Sequence, residues 1–268
     1  MLTLPPPARA ATPAPAAYAF RLLAGMCEAL PLEVTDGGHP TDTFGGTWWD
    51  TAQLTGRPEA LRAVLDGESV RILNAYGHTA RPDVAASRVL HHYLWSTGLL
   101  LGGPWYLQRR IPLIRPQELW IEPRTGTFAI APGSFASPPG REASHAALRA
   151  AFAEFVTPLL AAFRPEIRRG PRALWGMAGD DLVSAVWYLG RLLGQERVAV
   201  REAAALLPDD TPPFPSGAGF RDLRGASGRS YATRTRAGCC LFYVIRPGEA
   251  CLTCPRAADA ERLRRLEG

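Results

Sequence analysis

The chain contains no lysine. All 30 of its basic residues are arginine, and set against 25 acidic residues they leave a formal charge of +5. No basic stripe interleaved with aromatics occurs, which argues against a nucleic-acid partner. With Ala, Gly and Pro abundant, the all-arginine usage fits the codon bias of a GC-rich genome. A positive balance still favours an acidic redox partner or an anionic substrate through long-range attraction. Signatures of common enzyme classes are also missing: there is no P-loop, no GxGxxG behind a strand, no serine nucleophile elbow and no HExxH. No nicotinamide or flavin site is therefore expected in the chain itself. Long hydrophobic runs are scarce as well. The longest, from Tyr93 to Leu107, is interrupted by Gly102-Gly103-Pro104 and is too short to span a bilayer. The N-terminus has no apolar core of secretory type. A cytoplasmic protein without a transmembrane segment is expected, with its thiols kept reduced. No internal repeat is visible.

What is present fits a globular protein. At 268 residues and 47% apolar content, the chain is long enough for one large domain, or one domain with a small module. Helical periodicity predicts helices over 16–30, 57–65, 83–101, 143–163, 172–193, 198–207 and 256–266. Alternation around a turn at Arg124-Thr-Gly126 predicts a hairpin over 118–131, and two further strands are expected over 231–235 and 241–246. Residues 208–228 read as a connecting loop. The expectation is an α+β fold: a disordered tail (1–15), a mainly helical main domain (16–228) with a small antiparallel β portion, and a C-terminal module (229–268).

That module carries the one concentrated chemical signal. Four of the five cysteines, Cys239, Cys240, Cys251 and Cys254, fall within sixteen residues in the pattern C-C-x10-C-x2-C. Disulfides are a weak reading for a long domain without a secretory signal. Zinc is the stronger rival, because Cys251-x2-Cys254 is an ordinary half-site for a tetrahedral ion. The adjacent pair fits zinc less well, since neighbouring residues in an extended strand point to opposite faces. A dinuclear iron–sulfur rhomb offers a larger target with four thiolate positions. Spacing alone leaves both metals open.

The pattern resembles the C-terminal [2Fe–2S] motif of the FhuF-like ferric siderophore reductases, commonly followed by proline, as here by Pro255. A run typical of that family, Arg-x-Leu-Trp-Gly-(Asn)-x-Ala, is also recognisable as Arg172-Ala-Leu-Trp175-Gly176-Met177-Ala178-Gly179, with Met177 where asparagine is expected. The resemblance implies a [2Fe–2S] cofactor on the four cysteines and one-electron reduction of Fe(III) held by a siderophore, of hydroxamate type, with release of Fe(II). Electrons would come from an external ferredoxin or flavin reductase. Two alternatives stand beside it. One is a zinc-stabilised binding protein for a siderophore or other ligand, and the other is an iron–sulfur electron-transfer or sensor protein without a small-molecule substrate.

A concave aromatic surface would suit a bulky siderophore; Trp48, Trp49, Trp105 and Trp175 are the candidates. Arg234, Arg236 and Arg246 lie close enough in sequence to act on a cluster, although ordinary surface positions are the plainer expectation. Asp180-Asp181 reads as a solvated face. Cys27 falls on the apolar side of its helix and reads as a buried structural thiol. His91 and His92 lack a helical ligand partner at i+4 and carry no metal expectation.

Overall fold

The computed structural model describes residues 16–136, 141–209 and 211–267; the tail over 1–15 lies outside them. The first elements are α1 (Ala17–Met26), β1 (Leu32–Val34), α2 (Pro40–Phe44), β2 (Trp49–Asp50), α3 (Thr51–Gly56) and α4 (Pro58–Tyr76). They are followed by α5 (Pro82–Gln108), a 3-10 turn at Pro116–Glu118, β3 (Leu119–Ile121) and β4 (Phe128–Ile130). The second half holds α6 (His145–Ile167), α7 (Pro171–Leu192), α8 (Glu196–Leu206), β5 (Phe220–Arg224), β6 (Ser230–Arg234), α9 (Phe242–Ile245) and α10 (Asp259–Glu267). The architecture is mainly helical α+β, as expected.

Helix α5 is the axis of the main core. It packs on α7 more extensively than any other pair of elements pack, and α6, α4 and α1 also lie against it. Its length corrects the sequence reading, which ended it before Gly102-Gly103-Pro104. The helix runs through these residues to Gln108. The reason is packing: a Cβ on Gly103 would meet Leu23 Cδ2 at 2.6 Å, so glycine lets α1 settle directly on α5. Burial there outweighs the intrinsic helix penalty of glycine and proline. Helix α4 is likewise longer than expected. Val70 and Leu73 on its outer turns are exposed, which hides its periodicity.

The small sheet has the order β1-β4-β3-β2. The predicted hairpin is β3–β4, and β2 extends it antiparallel, whereas β1 pairs with β4 in parallel. Alternation divides its two faces: Leu119, Ile121, Phe128 and Ile130 enter the main core, while Trp120 and Ala129 join Trp48 in a satellite cluster. Helix α6 is long and apolar enough, by length and composition, to cross a membrane. Here Leu148, Phe152, Val156, Leu159 and Phe163 turn inward and α6 packs against α5, α3, α7 and α8.

Two more corrections concern the C-terminal part. Residues 208–228, expected as loop, contain β5, which pairs antiparallel with β6 from Phe220↔Arg234 to Arg224↔Ser230. Residues 241–246, expected as a strand, form the short helix α9 instead. Leu241 and Ile245, four apart, both dock on Ile72, Val84 and Ala85 of α4 and α5, and the helical turn brings them close enough to share that patch.

Candidate metal centre

Strand β6 ends at Arg234 and delivers the chain to the paired cysteines across the middle of α7. There the Asp180-Asp181 pair is not a solvated face: the two residues are 2% and 0% exposed. Arg234 and Arg236, expected at the surface, are buried with them. Arg234 pairs with Asp180 and also donates to the Ala218 carbonyl at 2.7 Å. Arg236 pairs with Asp181 at 2.6 Å. The other Asp181 oxygen accepts from His91 Nδ1 at 2.9 Å, which fixes the proton on that nitrogen. Burial works against the charge on Asp181, but Arg236 and His91 outweigh it and hold its pKa below the ordinary carboxylate value. Buried charges persist only when paired in this way. Arg246 does remain at the surface, paired with Glu249.

The same network holds the approach to Cys239. Gly238 donates its backbone N–H to Asp180 Oδ2 at 2.7 Å. A Cβ on Gly238 would lie 2.6 Å from Met177 Cγ and 2.8 Å from the Met177 backbone nitrogen. Met177 is therefore part of the packed wall behind the cysteines, fully buried, and its side chain makes an apolar contact.

Cys240 and Cys254 are buried, and Cys239 and Cys251 are half-buried. All four are free thiols, and a hydrogen bond joins Cys240 to Cys251. Leu241 adopts left-handed backbone geometry (φ 61°), rare for a branched residue. This turn directs backbone N–H groups at the sulfurs, that of Leu241 at Cys239 and that of Phe242 at Cys240. The hydrogen bond with Cys251 is the largest influence on Cys240 and, outweighing burial, draws its thiol below the ordinary value. Cys251, the donor of that bond, is pushed up correspondingly. The second cysteine loop is strapped from α10: Arg262 donates to the Cys254 carbonyl at 2.7 Å and to the Leu252 carbonyl at 3.0 Å, and Arg265 donates to Ala250. Arg169 holds the Cys239 carbonyl at 2.7 Å. Thr253 accepts from the Arg236 backbone N–H at 2.9 Å, closing one cysteine loop on the other.

Residues 236–256 match the family model of the FhuF 2Fe-2S C-terminal domain. This segment is of the FhuF [2Fe–2S] type. Its cofactor is a [2Fe–2S] cluster, and no curated protein matches the chain significantly. The FhuF-type segment fits such a group on three counts. It offers four thiols as donors, backbone N–H groups face two of the sulfurs, and Arg236 supplies buried positive charge within electrostatic reach of Cys240 and Cys251. Arg236 Nε is buried and makes no hydrogen bond among the described residues, but it lies 3.7 Å from Asp180 Oδ2, so its charge faces both carboxylates of the pair.

The four tryptophans are not brought together around this segment. Trp105 is enclosed in the core and donates to the Ala143 carbonyl at 2.8 Å. Trp48 is buried and donates to Gly45, Trp49 is half-buried in β2, and Trp175 packs edge-on against Phe214. Cys27 is enclosed within the main core, where burial pushes its thiol up to about 11.

Other residues flank the cysteine loop. A cleft of about 410 Å³ is floored by Leu252 and Thr253, the two residues between Cys251 and Cys254. One wall comes from α5 (Arg88, His91, His92, Trp95) and the other from α7 (Ser184, Trp187, Tyr188, Arg191). Both walls follow the spacing i, i+3, i+4, i+7. That stripe is legible in each helix, but nothing in the sequence says that the two face each other. A larger hollow of about 790 Å³ beneath residues 111–118 touches none of the cysteines.

Proposed function

We propose that the protein is a ferric-siderophore reductase of the cytoplasm, with Cys239, Cys240, Cys251 and Cys254 as the ligands of its [2Fe–2S] cluster. The observation that carries this reading is the FhuF-type motif placed on a chain turn whose amides and buried arginine suit an anionic iron–sulfur group. Because β5 and β6 form one hairpin, we place the start of the cluster module at Phe220 and not at residue 229.

Bound there, a [2Fe–2S] cluster supplies one electron at a time. Fe(III) in the chelate takes that electron and becomes Fe(II), and an external ferredoxin or flavin reductase restores it. Hard hydroxamate oxygens hold Fe(III) far more strongly than Fe(II), so the metal leaves without any bond of the ligand being cleaved. No general acid or base is needed. The protein's own residues exclude water, hold the thiols and offset negative charge. Arg236 and the N–H groups of Leu241 and Phe242 favour the more reduced, more negative state and so raise the potential.

The test is a single-turnover mixing experiment. Chemically reduced protein mixed with a ferric trihydroxamate should be reoxidised as Fe(II) appears on a ferrous trap, one Fe(II) for each electron lost. A reduced cluster that persists in the presence of the chelate would contradict the reading.

A further inference from the structure

The cleft beside the cysteine loop has the composition of a binding site for an anion with a bulky body. No carboxylate lines it. Arg88 has no carboxylate partner among the described residues; its guanidinium lies 5.1 Å from the ring centre of Phe242, two residues after Cys240. Arg191 is exposed and sits 3.8 Å from Glu196, a loose pairing screened by solvent. Arg236 reaches the cleft too, but Asp181 already offsets its charge. Two positive charges are thus left to a ligand. His92 adds none, since burial and the nearby Arg71 push its pKa down to about 3. Between the arginines, Trp95 and Tyr188 meet edge to face at 5.3 Å and give the cleft an apolar wall.

We propose that this cleft binds the ferric chelate and selects complexes of net negative charge, with Arg88 and Arg191 as the residues that set the preference. The identity of the ligand rests on the reductase reading. The geometry places the chelate against the residues between Cys251 and Cys254, where an electron passes without crossing the core. A volume of about 410 Å³ seats one face of a hexadentate complex and leaves the rest in solvent. Chelates with carboxylate or catecholate donors carry the required charge. Neutral and cationic trihydroxamates bind the same surface more weakly.

Ga(III) has the charge and nearly the size of Fe(III) but accepts no electron under these conditions, so its chelates report binding apart from redox chemistry. The experiment titrates the full-length, cluster-loaded protein with the anionic Ga(III) complex of a citrate-dihydroxamate and with cationic Ga(III)–desferrioxamine B. Binding is read by tryptophan fluorescence at low and high salt. The anionic complex should bind about tenfold tighter or more at low salt, and the preference should shrink as salt rises. Arg191→Gln, at an exposed site, should reduce the preference while leaving the visible spectrum of the cluster unchanged. Arg88→Gln should reduce the preference as well. Equal affinities for the two complexes, or a preference that survives both substitutions, would overturn the proposal. Charge-selective Ga(III) binding by a protein that ferric chelates fail to reoxidise would keep the site and remove the reductase reading. Reoxidation unaffected by either substitution, with no Ga(III) preference, would do the reverse.

Discussion

Gly238 gives its backbone N–H to the Asp180 carboxylate at 2.7 Å, which ties the residue before the paired cysteines to the buried middle of α7. The contact makes the cysteine turn an extension of the main core. Removing either side should therefore disturb both the fold and the cofactor.

Asp180→Ala would strand Arg234 and the Gly238 N–H in a buried site. Breaking a buried pair by removing one partner costs roughly 3–5 kcal/mol. Thermal unfolding should show a fall in Tm of many degrees for the alanine variant and a smaller fall for Asp180→Asn, which keeps an acceptor. An unchanged Tm for Asp180→Ala would mean that the pair does not hold the fold.

Gly238→Ala should yield protein deficient in iron, because the new Cβ would press on the Met177 backbone nitrogen at 2.8 Å as well as on its side chain. Met177→Ala in the same chain should not restore the iron content, since the backbone clash remains. Full iron loading of Gly238→Ala would show that the close approach is dispensable.

The Asp181 carboxylate supplies a pH dependence. Its pKa in the folded protein lies below the ordinary value near 3.8. The stabilisation is therefore complete above about pH 5 and is lost as pH falls through the unfolded pKa toward the folded one. Wild-type stability against denaturant should decline over that acid range. Asp181→Asn should be less stable at neutral pH and decline less. Parallel profiles for the two proteins would contradict the assignment.

Much of this was legible from the sequence, and what was not has a physical pattern. The C-C-x10-C-x2-C run and the long helices α6 and α7 announce themselves through local spacing. Asp180-Asp181 did not, because two acids in a row ordinarily face water; only the arrival of Arg234 at the end of β6 and of Arg236 just after it, more than fifty residues later, buries them. Leu241 to Arg246 read as a strand because its residues are branched and aromatic, and the left-handed turn at Leu241 that makes it helical leaves no trace in composition. Each tryptophan stands alone in the sequence, whereas the cleft is formed by two matching helical stripes whose partnership is a tertiary fact.

Arg262 provides a test of the second cysteine loop. It is 2% exposed and donates to the carbonyls of Leu252 and Cys254. Charge-assisted hydrogen bonds of this kind contribute roughly 1.5–3 kcal/mol each. Arg262→Ala should lose its visible absorption faster than wild type when challenged with a chelator, with the helical signal in circular dichroism largely retained. Equal rates of bleaching would remove α10 from the support of the site.

The most direct measurement is the visible spectrum of anaerobically purified protein, oxidised and then reduced, with iron, sulfide and zinc assayed on the same sample. A red-brown protein with about two irons and two sulfides per chain is expected. It should bleach on reduction, recover on addition of a ferric hydroxamate, and lose its colour on Cys→Ser at 239, 240, 251 or 254 but not at Cys27. A colourless protein carrying one zinc per chain would contradict the electron-transfer role outright.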